Sequence, residues 1–105
     1  MMDNDEKGAY ATYLGRIGWY YLNRSEAREA IEYNIKARKI FEDVKGYETS
    51  KSNIIFGLAI SNIQLGNLKE AEENIQIMQN MFNQKLIDKT DAATLDYAKS
   101  RLFDT

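Results

Sequence analysis

The sequence contains no cysteine, no histidine and no proline in 105 residues. Without cysteine the chain has neither disulfide bonds nor thiolate metal ligands, which suits a cytoplasmic protein. Without histidine it lacks the commonest general base and a common metal ligand. Without proline, no ring interrupts a helix at any position. We therefore expect a cytoplasmic, helical protein.

The chain also lacks a large excess of charge of either sign and a long apolar run. The net charge is −2, so no basic field attracts nucleic acid or anionic lipid. The longest apolar run, IIFGLAI, is far shorter than the roughly 20 residues of a membrane span. The start of the chain, MMDNDEKGAY, is polar and acidic, unlike a signal peptide. The length fits one domain, and we expect no nucleic-acid or membrane partner.

Groups that could carry catalysis or bind a metal are few. Glu70, Glu72 and Glu73 diverge around a helix and are typical of a solvated face. Asp88 and Asp91 lie near a helix start, where capping explains them better than calcium does, because the other loop ligands are missing. No glycine-rich phosphate loop is present. We therefore expect no enzyme activity, no metal and no cofactor.

Apolar residues recur at helical spacing in five segments of the chain. We expect helices over about 5–23, 25–46, 50–65, 67–86 and 89–103. Ser25 is expected to begin the second helix, and Gly46 and Gly66 are expected to end the second and third. The predicted fold class is all-α, with about five helices.

The first two segments reappear 41 residues later. Ala30 recurs as Ala71 and Phe41 recurs as Phe82. Similar residues occupy further equivalent positions, namely Leu14 and Ile55, Ile17 and Leu58, Gly18 and Ala59, and Ser25 and Gly66. Self-similarity at such a period is typical of a helical repeat array. The alternative is an unrelated four- or five-helix bundle with coincidental spacing.

Two stretches, LGRIGWYYLNRSEAREAIEYNIKARKIF and IIFGLAISNIQLGNLKEAEENIQIM, resemble tetratricopeptide repeats. The spacing exceeds the usual period of about 34 residues and is similar to longer variants in bacterial signalling proteins, including peptide-pheromone receptors. The departures are Ser25 for the turn glycine, Asn62 for an aromatic residue and Met78 for an alanine. The resemblance implies one domain over 1–105, an α-solenoid of antiparallel helix pairs over about 11–46 and 50–86, with a capping helix over about 89–103.

The resemblance also sorts the aromatic stretch GWYYL. In such an array the first helix of each pair lines a concave groove, which implies that Trp19 faces the groove, Tyr21 faces the core and Tyr20 faces the edge of the array. The expected apolar groove is lined by Trp19, Leu22, Phe56, Ile60 and Ile63. An exposed apolar strip marks a contact with a peptide or partner helix. The alternative is that helix five, or the rest of a longer protein, fills this groove.

Two groove positions carry side chains that suit a peptide carboxylate, Arg16 and Asn53. Some tetratricopeptide domains grip chaperone tails through several cationic and amide donors, because a carboxylate needs paired donors to offset its desolvation. Two such residues are too few, so chaperone-tail binding is disfavoured.

These observations predict a protein–protein interaction module within a larger bacterial signalling or assembly protein. The alternative is a regulatory domain in which a groove-bound peptide shifts the stacking of the repeats. Because two repeats are fewer than the three usually needed, we also expect a homodimer that buries Trp19 and Tyr20.

Two packing expectations follow from the repeat positions. Asn34 and Asn62 stand where the repeat pattern has apolar residues, and we expect their amides to hydrogen-bond to each other or to share a water, since a buried lone amide is costly. For helix five we expect Leu95, Ala98 and Leu102 to pack on helices three and four, and Lys99 and Arg101 to lie in solvent.

Overall fold

The computed structural model describes residues 2–86 and 89–103 and contains five α-helices in these ranges. They are α1 Asn4–Asn23, α2 Ala27–Phe41, α3 Glu48–Gln64, α4 Leu68–Asn83 and α5 Lys89–Phe103. No strand occurs in the described residues, so the all-α expectation is confirmed. None of these helices has the length and apolarity needed to cross a bilayer.

Three helices end in the same way, with a residue in the left-handed region. Ser25, Gly66 and Lys85 have φ values of 60°, 79° and 60° after α1, α3 and α4. In each case the amide of the next residue reaches back to a carbonyl of the last helical turn, as in Glu26 N to Tyr21 O. This is the usual glycine-type helix stop. The expected start of α2 at Ser25 is therefore wrong, because Ser25 terminates α1 instead.

Exchanging the residues of the two equivalent stops should change stability in opposite directions. Ser25→Gly relieves the steric cost of a left-handed serine and should raise the free energy of unfolding by about 1 kcal/mol. Gly66→Ser introduces that cost and should lower the free energy by a similar amount. Urea unfolding followed by circular dichroism measures both. If both variants changed the free energy of unfolding in the same direction, the left-handed backbone conformation would not be the cause of either change.

The end of α2 also differs from expectation. The helix stops at Phe41, five residues before Gly46, and Glu42 and Asp43 form a turn. Val44, just after this turn, is 5 % exposed and belongs to the core. The second helix therefore ends before Gly46, and the segment between them contributes Val44 to the core.

Helix α3 is the centre of the fold, because it packs against each of the other four helices. In the described residues α1 does not contact α5, and α2 does not contact α4. Helices α1, α3 and α5 therefore form one layer, which we call the first layer, and α2 and α4 pack on its back. A β-carbon on Gly8 would meet the ring of Tyr47, and one on Gly15 would meet Ile54. Both pairs are 39 residues apart, so α1 and α3 run parallel.

The start of α1 is tied to the segment between α2 and α3. The Asn4 amide donates to Lys45 O at 3.1 Å, and Asn4 Oδ1 accepts from Lys45 N at 2.8 Å. The Tyr47 hydroxyl donates to Asp5 Oδ1 at 3.1 Å. This hydrogen bond, followed by partial burial, raises the pKa of Tyr47 above its ordinary value.

Asn34 and Asn62 are both buried, but they do not hydrogen-bond to each other. Asn62 Nδ2 donates to Leu58 O at 2.8 Å, and its Oδ1 accepts from Asn67 Nδ2 at 3.3 Å. The Asn34 amide lies between Gly18 of α1 and Gly57 of α3. The expectation of a mutual bond is wrong, because Asn62 donates to the carbonyl four residues earlier in its own helix and Asn34 is enclosed between two glycines of other helices.

Helix α5 packs on α3 and α4 through Leu95 and Ala98, which are buried, with Leu102 half-buried beside them. Arg101 is exposed, as expected. Lys99 is not in open solvent, because it is half-buried and its Nζ donates to the Gln79 side chain of α4. A lysine can lie along a helix interface in this way when its ammonium group reaches a polar partner.

Candidate functional site

The structure buries four of the five residues expected to line an open apolar groove. Leu22, Phe56, Ile60 and Ile63 are 5 %, 6 %, 5 % and 5 % exposed and belong to the core. The open apolar strip is therefore not present. The position of a residue in the helical period gives only the direction in which its side chain leaves the helix. Whether another helix covers that side chain depends on how α1, α3 and α5 pack side by side.

Three aromatic side chains nevertheless cross the first layer in contact with one another. The rings of Trp19 in α1 and Phe56 in α3 have centroids 5.4 Å apart, and those of Phe56 and Tyr97 in α5 are 6.0 Å apart. These are favourable tilted and edge-on distances. We call Trp19, Phe56 and Tyr97 the aromatic row.

The two ends of the aromatic row are accessible, and its middle is not. Trp19 is half-buried and Tyr97 is 50 % exposed, whereas Phe56 is covered. Arg101 carries its guanidinium 6.0 Å from the Tyr97 ring. Tyr97 was absent from the predicted site. Its position 41 residues after Phe56 was the signal that could have identified it.

A small pocket lies beside Trp19, between α1 and α3. It has a volume of about 130 Å³ and is lined by Thr12, Gly15, Arg16, Trp19, Ser50, Asn53 and Ile54. The structure thus brings Arg16, Asn53 and Trp19 together, as the sequence suggested. None of the seven lining residues is acidic. The guanidinium of Arg16 and the amide of Asn53 can donate to a carbonyl or carboxylate oxygen.

Tyr20 lies away from this pocket. It is 56 % exposed, and its hydroxyl accepts a hydrogen bond from Arg24 Nη1 at 3.0 Å. Arg24 also stacks on the Tyr20 ring at 5.4 Å and pairs with Glu26 at 3.5 Å. Tyr20 and then Glu26 raise the pKa of Arg24 above its ordinary value. Tyr20 therefore belongs to a different surface of α1.

A second cavity opens on the back of the fold, where α2 and α4 do not contact each other. Its volume is about 310 Å³, and its lining includes Phe41, Ile55 and Ile77. Basic and acidic side chains both stand around it: Arg38, Lys51, Glu42 and Glu48. Lys51 Nζ already donates to Val44 O at 2.6 Å. This cavity shares no residue with the aromatic row.

Within the described residues, no group of three or more histidine, cysteine, aspartate or glutamate side chains is placed to hold a metal ion. Comparison of the chain with protein-family models, curated proteins and solved structures gives no match. The functional interpretation therefore depends on the surfaces described above.

Proposed function

We propose that this chain is a protein–protein interaction module of tetratricopeptide type that binds an extended peptide segment across its first layer. The observation that carries the proposal is the aromatic row, which joins α1, α3 and α5 in one surface with accessible rings at both ends. Aromatic side chains are enriched at the energetic centres of protein interfaces.

The pocket beside Trp19 supplies the polar part of such a site. A bound peptide needs partners for its backbone and polar groups, and Arg16, Asn53 and Ser50 offer donors at one end of the row. Arg101 offers a second cation at the other end, beside Tyr97. The site therefore suits a segment with an apolar side chain flanked by acidic or carbonyl groups.

The repeat pattern supports the wider assignment. The 41-residue period and the pairing of α1 with α2 and of α3 with α4 are what an α-solenoid of helix pairs requires. Solenoid domains present extended binding surfaces and occur as parts of larger proteins, so we propose a role within a larger bacterial signalling or assembly protein in the cytoplasm.

Regulatory peptide sensing is a second candidate, and one observation favours it. In the described residues α1 and α5 do not contact each other. The ring of Phe56 in α3 lies between the rings of Trp19 in α1 and Tyr97 in α5. A peptide that touched both Trp19 and Tyr97 would bridge these two helices and would change their relative positions. Small-angle scattering with and without a bound peptide distinguishes sensing from passive binding through the radius of gyration, which is 13.0 Å for the Cα atoms of a single copy.

Peptide selection from a random display library on the immobilised chain tests the proposal. The chain has a single tryptophan, Trp19, so its fluorescence should change when a selected peptide binds. Tyr97→Ala should weaken binding about thirtyfold, the effect of losing one dominant interface residue. Ile35→Ala is the control, because Ile35 is also an exposed apolar side chain, 41 % exposed, but lies on α2, outside both the aromatic row and the pocket beside Trp19. Equal losses in the two variants would place the site elsewhere.

A further inference from the structure

The side of α1 that faces away from α3 carries a row of exposed tyrosines. Tyr10, Tyr13 and Tyr20 are 44 %, 59 % and 56 % exposed, and half-buried Ile17 lies among them. Their spacing of three and four residues places them on one face of the helix. Glu6 extends this face at one end and Arg24 at the other. We call Glu6, Tyr10, Tyr13, Ile17, Tyr20 and Arg24 the α1 stripe.

The same positions in the later first-layer helices are packed against a preceding helix. Moving 41 residues along the chain from Tyr13, Ile17 and Tyr20 leads to Ile54, Leu58 and Ser61, all of which are buried. Ile54 contacts α1 at Gly15. A further 41 residues leads from Ile54 to Leu95, which is buried in the contact of α5 with α3 and α4. The α1 stripe therefore has the position of a helix-packing face, and a helix is the occupant that fits it.

The charges of the stripe indicate which helix fits. Glu6 and Arg24 lie at opposite ends, and the stripe is symmetrical about its own middle, at position 15. If a second α1 lies antiparallel with these middles aligned, Glu6 meets Arg24, Tyr10 meets Tyr20 and Tyr13 meets Ile17. A parallel arrangement would instead place Glu6 on Glu6 and Arg24 on Arg24, and like charges in contact oppose association. The stripe is thus complementary to itself in the antiparallel orientation.

We propose that two copies of this chain associate through the α1 stripe as an antiparallel two-fold dimer. A two-fold contact uses the same patch on both subunits, so each pair of unlike residues occurs twice. The centre of the contact, formed by Tyr10, Tyr13, Ile17 and Tyr20 of both copies, would bury apolar surface on association. At each end Glu6 of one copy would join Arg24 of the other, which also pairs with Glu26 of its own chain at 3.5 Å, and these contacts set the orientation.

Sedimentation equilibrium of the full chain over a range of concentrations gives the first test. The wild type should be a dimer. Tyr13→Glu should weaken the dimer at least about tenfold, because it places a charge in an apolar contact. Tyr97→Glu is the matched control, since Tyr97 is also exposed, at 50 %, but lies outside the stripe, and this variant should dimerise like the wild type. Circular dichroism checks that both variants fold.

Charge reversal gives the second test, because it has a built-in rescue. Glu6→Arg alone and Arg24→Glu alone each place like charges at both ends of the antiparallel contact, and each should weaken the dimer roughly three- to tenfold. The double variant E6R/R24E should recover most of the affinity that either single variant loses, although Arg24 also loses its own contacts with Tyr20 and Glu26. An equimolar mixture of the two single variants should form a heterodimer more tightly than either variant pairs with itself.

Three outcomes overturn the proposal. A wild-type chain that stays monomeric at high micromolar concentration has no such contact. A dimer that Tyr13→Glu leaves unchanged uses another face. A mass that keeps growing with concentration indicates head-to-tail association, for which Phe103, 82 % exposed at the end of α5, would be the natural contact.

Discussion

Leu58→Ala is expected to lower the free energy of unfolding by about 2–5 kcal/mol. Leu58 is 2 % exposed and lies in α3, the helix that packs against all the others. Removal of its side chain leaves a cavity that the surrounding helices can fill only in part. Because a domain of this size has a total stability of roughly 5–15 kcal/mol, the variant should lose a large share of it.

The matched control for this change is Leu68→Ala. Leu68 is the first residue of α4 and is 41 % exposed, so its truncation should cost no more than about 0.5 kcal/mol. Urea unfolding gives the free energy of unfolding of both variants. Circular dichroism and Trp19 fluorescence should report the same unfolding transition if the chain unfolds in two states. If the two variants lose equal stability, α3 is not the central element that its contacts indicate.

Gly57→Ala is expected to destabilise the chain, although alanine normally stabilises a helix. A β-carbon on Gly57 would lie 2.8 Å from the Asn34 amide nitrogen, and one on Gly18 would lie 3.0 Å from it. Overpacking of a core costs about 1–3 kcal/mol, and the helix gains up to about 1 kcal/mol from alanine. The net loss should be up to about 2 kcal/mol, and the melting temperature should fall accordingly.

The Asn34→Ala background should reverse the sign of this effect. With the amide removed, the added methyl group of Gly57→Ala has space and should stabilise the chain. A double-mutant cycle measures the coupling, which should exceed about 1 kcal/mol. If Gly57→Ala has the same effect in both backgrounds, the Asn34 side chain does not limit the space between α2 and α3. The close contact of its amide with Gly57 would then not explain the destabilisation.

The candidate site was only partly predictable. Arg16, Asn53 and Trp19 were named from the sequence, and the structure brings them together around one pocket. Tyr97 does not follow from the sequence, because the repeat resemblance predicts helix five as a cap and not as a third first-layer helix. The angular positions of Leu22, Ile60 and Ile63 match Trp19 or its neighbours and therefore predict an open surface, but the angle on a helix does not show which other helix covers them.

The sequence by itself determined the helical class, the number of helices and most of their limits, because these depend on local spacing, on the lack of proline and on a few turn residues. The tertiary structure alone decided which polar and apolar residues are covered. Asn34 lies between two glycines of other helices, Ile60 and Ile63 are covered where an open groove was expected, and Val44 is buried in the core outside α2. Burial is a property of neighbours brought close by packing, and those neighbours are distant in the chain.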